Sequence, residues 1–281
     1  MQIQNAIKYC TEKTLSHYEN FPVGSLLLPK KLRMPVYVIY TFAREADDIA
    51  DEIKDKSKAR VLLQEYREKL NLSVQGKPDN DPIFIALTHV LENFPISADY
   101  LQQLLDAFEQ DLNVSEYESW DEVLSYCENS ANPIGRILLQ LMGYHHEENL
   151  QLSDSICSGL QLINFWQDLS IDLPGGRNYI PQELWRNFDL DFNRSNVSEM
   201  NDRYSGLSAA LINYTRALYD AGKNLASVLP GRAGMEIGVI YAGGNAILNR
   251  LKEMGPAIFV DRPALKKYDW IKVFARGIFN V

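Results

Sequence analysis

Side-chain oxygens recur at steps of four residues in two stretches, Asp47-Asp48-Ile49-Ala50-Asp51-Glu52 and Asn164-Phe165-Trp166-Gln167-Asp168-Leu169-Ser170-Ile171-Asp172, and on an α-helix that spacing stacks them in columns. Four residues rise about 6 Å and return to nearly the same face. Asp47 and Asp51 therefore make one short column, and Asn164, Asp168 and Asp172 another. Like charges four apart cost a helix about 0.2–0.5 kcal/mol per pair, and Asp is a mediocre helix former. A single acidic cluster is ordinarily a solvated face. Two of them, each embedded in apolar sequence, point to metal binding. Oxygen donors without Cys or His spacing suit a hard cation, and Mg2+ typically joins one or two carboxylates to substrate phosphates. Two such columns facing each other would bind a diphosphate.

Apolar residues elsewhere recur mostly at three and four, with almost no strand-like alternation, so an all-α fold is predicted. The periodicity places helices over 3–18, 35–53, 57–73, 82–92, 97–113, 120–130, 133–144, 150–172, 203–228, 232–254 and 263–276. Breakers fit these divisions: Pro29 and Pro35 before the first acidic helix, Gly76 to Pro82 as a loop, Pro174-Gly175-Gly176 after the second, and Pro230-Gly231 late in the chain. Helical patterning continues on both sides of the polar stretch at Asn193-Arg194-Ser195-Asn196, so residues 1–281 are expected to form one domain.

The 281 residues are 46% hydrophobic, enough for a substantial core, and carry a net charge of −9. That charge argues against a nucleic-acid partner, and it leaves divalent metal to supply much of the positive field at a diphosphate. Cys10, Cys127 and Cys157 have no close pairing and read as buried reduced thiols. The start Met1-Gln2-Ile3-Gln4-Asn5 lacks a basic region followed by an apolar run, and no 18-residue apolar stretch occurs; a cytoplasmic protein is expected. His145-His146-Glu147-Glu148 reads as a solvated helix end, since adjacent histidines project in different directions. The basic, aromatic segment from Arg262 to Val281 has two readings, a helix packed on its own domain or one in transient contact with the inner face of a membrane.

In the first acidic helix Ile39, Phe42, Ala43, Ala46, Ile49, Ala50 and Ile53 form an apolar stripe, while Tyr40, Arg44, Asp47 and Asp51 fall on another line. Arg44 is placed either to pair with a carboxylate or to reach a phosphate oxygen, and Tyr40 is equally suited to a core. In the second, Gly159, Gln161, Asn164, Asp168 and Asp172 crowd one side of an otherwise apolar helix. An amide such as Asn164 needs a partner there, either a metal or a neighbouring helix. Metal held on a diphosphate would promote its departure, and the carbocation left behind needs aliphatic and aromatic walls free of nucleophiles. Phe21, Leu26, Leu27, Tyr37, Phe42, Tyr126, Ile134, Leu138, Leu141, Phe165 and Trp166 could build such a wall or be ordinary core.

The stretch from Tyr40 to Glu52, the segment Gly159-Leu160-Gln161-Leu162-Ile163-Asn164-Phe165-Trp166-Gln167-Asp168 and the element Gly176-Arg177-Asn178-Tyr179-Ile180-Pro181 resemble the head-to-head prenyl synthases, the squalene and phytoene synthase group. The resemblance covers roughly residues 10 to 265 and implies an isoprenoid synthase bundle of helices around a central cavity. It further implies that Asp47, Asp51, Asn164, Asp168 and Asp172 hold two or three Mg2+ ions with substrate. Tyr40, Arg44 and Gln161 would contact the diphosphate, with Arg177, Tyr179, Tyr241 and Arg262 lining the same region. His17 and Asn20 fall in an early substrate-binding segment.

Within that group, the segment His17 to Pro29 and the string Asn164-Phe165-Trp166-Gln167-Asp168 look most like bacterial hydroxysqualene synthases of hopanoid biosynthesis. Many presqualene diphosphate and phytoene synthases have Arg and Glu where this chain has Gln167 and Ile171. A neutral residue at 167 fits an enzyme that manages one diphosphate rather than two. The resemblance thus implies that presqualene diphosphate and water give hydroxysqualene, with no NADPH. The alternatives are a presqualene diphosphate, phytoene or dehydrosqualene synthase, and, more remotely, a non-catalytic assembly protein of the same fold.

Overall fold

The computed structural model describes residues 2–16, 27–191, 202–265 and 267–279, without the side chains of 267, 268, 271 and 279. The helices are α1 (Gln2–Ser16), α2 (Lys30–Glu52), α3 (Lys56–Val74), α4 (Pro82–Asn93), α5 (Ala98–Asp111), α6 (Trp120–Ser130), α7 (Asn132–Met142), α8 (Glu147–Asp172), α9 (Gln182–Asn187), α10 (Asp202–Ala221), α11 (Leu225–Val228), α12 (Gly231–Met254) and α13 (Lys267–Phe279). Among the described residues extended pairing is limited to one isolated bridge, Glu116 with Asn178. None of these helices is long and apolar enough to cross a membrane. The fold is all-α, as the periodicity predicts.

Starts and stops follow local chemistry. Asp55 caps α3 by accepting from the Ser57 and Lys58 amides, Asp81 caps α4 ahead of Pro82, and Ser97 and Ser119 cap α5 and α6. Three differences from the predicted boundaries have physical causes. Helix α2 begins at Lys30, before Pro35, because the bond that Pro35 cannot make would go to the carbonyl of exposed Lys31, where water can replace it. The long helix expected over 203–228 breaks after Ala221. A Cβ on Gly222 would stand 2.5 Å from the Leu152 carbonyl oxygen, so glycine lets the chain pass hard against α8. Helix α9, six residues long, is too short to leave a periodic signature.

Contacts divide the chain into two units, residues 1–113 with 133–150, and residues 114–132 with 151–281. In the first unit α2 packs on α1, α3, α4 and α5. Its inner face, with Val38, Ile39, Phe42 and Ala46, is buried, while Ala43, Ile49, Ala50 and Ile53 pack on the core edge. Phe42, Tyr66 and Phe84 pack together at ring separations of 4.7–6.2 Å, and the Tyr66 hydroxyl donates to the Phe42 carbonyl at 3.0 Å. These contacts fix the rotation of α2 and thus the side on which Asp47 lies.

In the second unit α12 packs on α10, α11 and α13. Tyr219 of α10 is fully buried in a slot made by two glycines. A Cβ on Gly159 of α8 would lie 2.6 Å from the Tyr219 ring, and one on Gly244 of α12 would lie 2.3 Å from its hydroxyl. That hydroxyl donates to the carbonyls of Ile240 and Tyr241. Gly244→Ala is therefore expected to destabilise the fold by about 1–3 kcal/mol through overpacking. The change should appear as a lower urea midpoint at unchanged m-value; an unmoved midpoint would show that Tyr219 can leave the slot.

Candidate active site

On α2, Tyr40, Arg44, Asp47 and Asp51 lie outside the buried core, Asp51 being exposed. Arg44 spans the start of the column, with Nη1 3.2 Å from Asp47 Oδ2 and Nε 2.8 Å from Asp48 Oδ1. Of the two placements open to Arg44, the ion pair is the one present, and it takes in Asp48 as well. Lys13 of α1 pairs with Glu45, the residue after Arg44. Three carboxylates within five residues are thus carried on a helix whose other side is clamped into the first unit's core.

Helix α8 isolates its column more sharply. From Leu162 to Leu169 every residue is buried except Asn164 and Asp168, and one turn beyond them Asp172 is again accessible, as is Gln161 before them. Trp166 is 0% exposed; its Nε1 donates to Thr215 Oγ1 at 2.7 Å, and Thr215 donates to the Leu211 carbonyl at 2.9 Å. The indole pins α8 to α10 and thereby fixes which residues face outward.

Arg262, 94 residues downstream, lies on this column. Its Nε donates to Asp168 Oδ1 and its Nη2 to Asp168 Oδ2 at 3.3 Å, a two-pronged contact. The Asp168 hydrogen bond is the main reason that the guanidinium holds its proton still more firmly than usual, and the Asp172 charge adds to it. Gln167, 3% exposed, donates from Nε2 to the Pro263 carbonyl at 2.8 Å. The neutral side chain at 167, ascribed from sequence to the demand of a single diphosphate, thus has a buried structural partner.

The Arg177-to-Pro181 element is held to the segment before α6: the Asn178 amide donates to the Ser115 carbonyl at 2.8 Å and the Gln182 amide to the Tyr117 carbonyl at 2.9 Å. This brings Tyr179 flat against Phe165 of α8, 3.7 Å away with 4° between planes, and against Tyr117 and Tyr126 at 5.8 and 5.9 Å. Phe165 and Tyr126, named as candidate wall residues, belong to this aromatic cluster. Arg177 is half-buried and its amide closes onto the Asp172 carbonyl at 2.9 Å, at the end of the column. Tyr241 belongs to a different set: its hydroxyl donates to Asp220 Oδ1 at 2.7 Å and its ring stacks on Tyr219. His17, Asn20, Phe21 and Leu26 lie outside the described residues.

The donor set of α8 fits a hard divalent cation: an amide oxygen and two carboxylates at one-turn intervals on an accessible strip. Asp47, Asp48 and Asp51 of α2 offer the same chemistry. Among the described residues no three His, Cys, Asp or Glu side chains come together as a group that could hold a metal ion by themselves. An open set of one or two carboxylates is what Mg2+ uses when substrate phosphates complete its shell. The contacts of Arg262 and Gln167 are the part of the site that sequence reasoning did not find. Arg262 was named for the region, but nothing in the sequence couples it to a particular carboxylate.

Residues 15–269 match the squalene/phytoene synthase family. The chain is 31% identical to the hydroxysqualene synthase of Rhodopseudomonas palustris over 90% of its own length and 85% of that protein. It is 24% identical to the presqualene diphosphate synthase of the same organism, over 76% of each. The crystal structure of squalene synthase HpnC from Alicyclobacillus acidocaldarius superposes with a TM-score of 0.84 at 31% identity, covering 90% of this chain and 95% of that one.

Proposed function

We infer, since this chain belongs to the squalene/phytoene synthase family, that it converts presqualene diphosphate and water to hydroxysqualene and diphosphate. One observation carries the choice within the family. Against two proteins of a single organism, the chain is more alike, and over more of its length, to the hydroxysqualene synthase than to the presqualene diphosphate synthase.

In this reading Asp47 and Asp51 on α2, and Asn164, Asp168 and Asp172 on α8, hold Mg2+. When bound, Mg2+ supplies positive charge against the negative charge growing on the departing diphosphate. Arg44, Arg177 and Arg262 provide guanidinium donors suited to phosphate oxygens, and Tyr40 and Gln161 provide neutral ones. The bond between the cyclopropylcarbinyl carbon and the diphosphate oxygen breaks, and the electron pair leaves with oxygen. The aromatic rings packed around Tyr179 and Phe165 offer π density to a cation. After rearrangement, water forms the new C–O bond and gives up a proton.

The test is to incubate purified protein and Mg2+ with presqualene diphosphate, and separately with farnesyl diphosphate, and identify the products. Hydroxysqualene from the first and no presqualene diphosphate from the second is the expected result. Coupling of farnesyl diphosphate would move the chain to the condensing members of the family.

A further inference from the structure

Two successive side chains of α8 grip two successive residues of the segment that follows α12. Gln167 binds the Pro263 carbonyl, and Asp168 binds the Arg262 guanidinium. Neighbouring helix positions diverge by about 100°, so one grip is buried and the other accessible. Gln167 is 3% exposed, whereas the Asp168 and Arg262 side chains are 32% and 48% exposed. The coupling between the two is stiff for a backbone reason. Pro263 has its φ locked by its ring, and Arg262, as the residue before a proline, is confined to extended conformations. Holding the Pro263 carbonyl therefore narrows the directions in which Arg262 can leave the chain.

We propose that Gln167 is a positioning residue that, through the Pro263 carbonyl, lays Arg262 on Asp168 and so sets how strongly Mg2+ must compete for that carboxylate. The inference rests on the reading of Asp168 as a metal ligand given above. A guanidinium set on both oxygens of Asp168 already offsets part of the charge a divalent cation would draw on, so the loop that carries Arg262 tunes metal affinity before substrate arrives. The sequence difference at 167 then acts on the metal site through the loop rather than through charge facing the substrate.

Gln167→Met tests this, because it keeps the side chain's length, removes the donor and adds no charge. In the ligand-free protein, exchange of the Asp261 amide, which donates to the Ala257 carbonyl at 2.9 Å just before the anchored pair, should become several-fold faster. Mg2+ binding followed by calorimetry should tighten about fivefold, the upper end for an ion pair this exposed. Arg262→Ala should tighten it equally, and the double variant no further than Arg262→Ala alone. Should Gln167→Met not fold, Pro263→Ala, which frees the backbone at the same point, is expected to speed exchange and tighten Mg2+ in the same direction. Unchanged exchange overturns the anchor. Gains that multiply in the double variant overturn the action through Arg262. Faster exchange with no Mg2+ bound to any variant overturns the competition together with the metal reading beneath it, and so separates the two failures.

Discussion

Replacing Asp168 with alanine is expected to lower turnover of presqualene diphosphate by about a thousandfold while leaving the fold intact. Asp168 is the middle member of the α8 column, with Asn164 one turn before it and Asp172 one turn after. Removing it takes away the carboxylate that either neighbour would need to share a cation. Its structural cost is small, since the side chain is one-third exposed and its partner Arg262 is about half exposed. Ion pairs of that kind contribute at most about 1 kcal/mol. Steady-state kinetics at saturating Mg2+, beside far-UV circular dichroism and a melting curve, measure both halves of the expectation. Turnover within tenfold of the parent would remove Asp168 from the chemistry.

Two residues earlier on the same helix, Trp166→Ala should behave in the opposite way and cost about 3–5 kcal/mol of stability. The indole is fully buried, lies edge-on to Trp120 at 6.1 Å, and satisfies Thr215 from α10. Alanine would leave a large cavity and a buried hydroxyl short of one partner. Domains are stable by only about 5–15 kcal/mol, so the loss would be a large part of the total and should show in the denaturant midpoint. Any loss of activity in this variant should track the folded fraction. An undiminished midpoint would mean that α8 is held by something other than this indole.

The contrast between positions 166 and 168 was legible in the sequence, because one apolar and one polar line on a helix need only the 3.6-residue period to be separated. The same holds for α2, where Phe42 and Ala46 go inward and Asp47 and Asp51 stay accessible. Less legible was anything that depends on where the chain goes next. The break after Ala221 comes from the closeness of Gly222 to the Leu152 carbonyl, a contact across some seventy residues. Gln167 invited a reading in terms of charge, yet its amide is spent on Pro263. The motif of Tyr179 implies only that it lines the diphosphate region, and its ring stacks on Phe165, which the motif by itself does not specify.

By itself, then, the sequence determined that the chain is helical, that two of its helices carry hard oxygen donors in columns, and which family those motifs resemble. Each of these is a property of residues within about a turn of one another, and helix geometry converts spacing directly into position. Only the tertiary structure decided that Arg262 sits on Asp168, that Gln167 holds the neighbouring carbonyl, and that Tyr179, Phe165, Tyr117 and Tyr126 share one aromatic cluster. Those pairings join residues far apart along the chain. They depend on how side chains of different helices fill the same space, which no local spacing encodes.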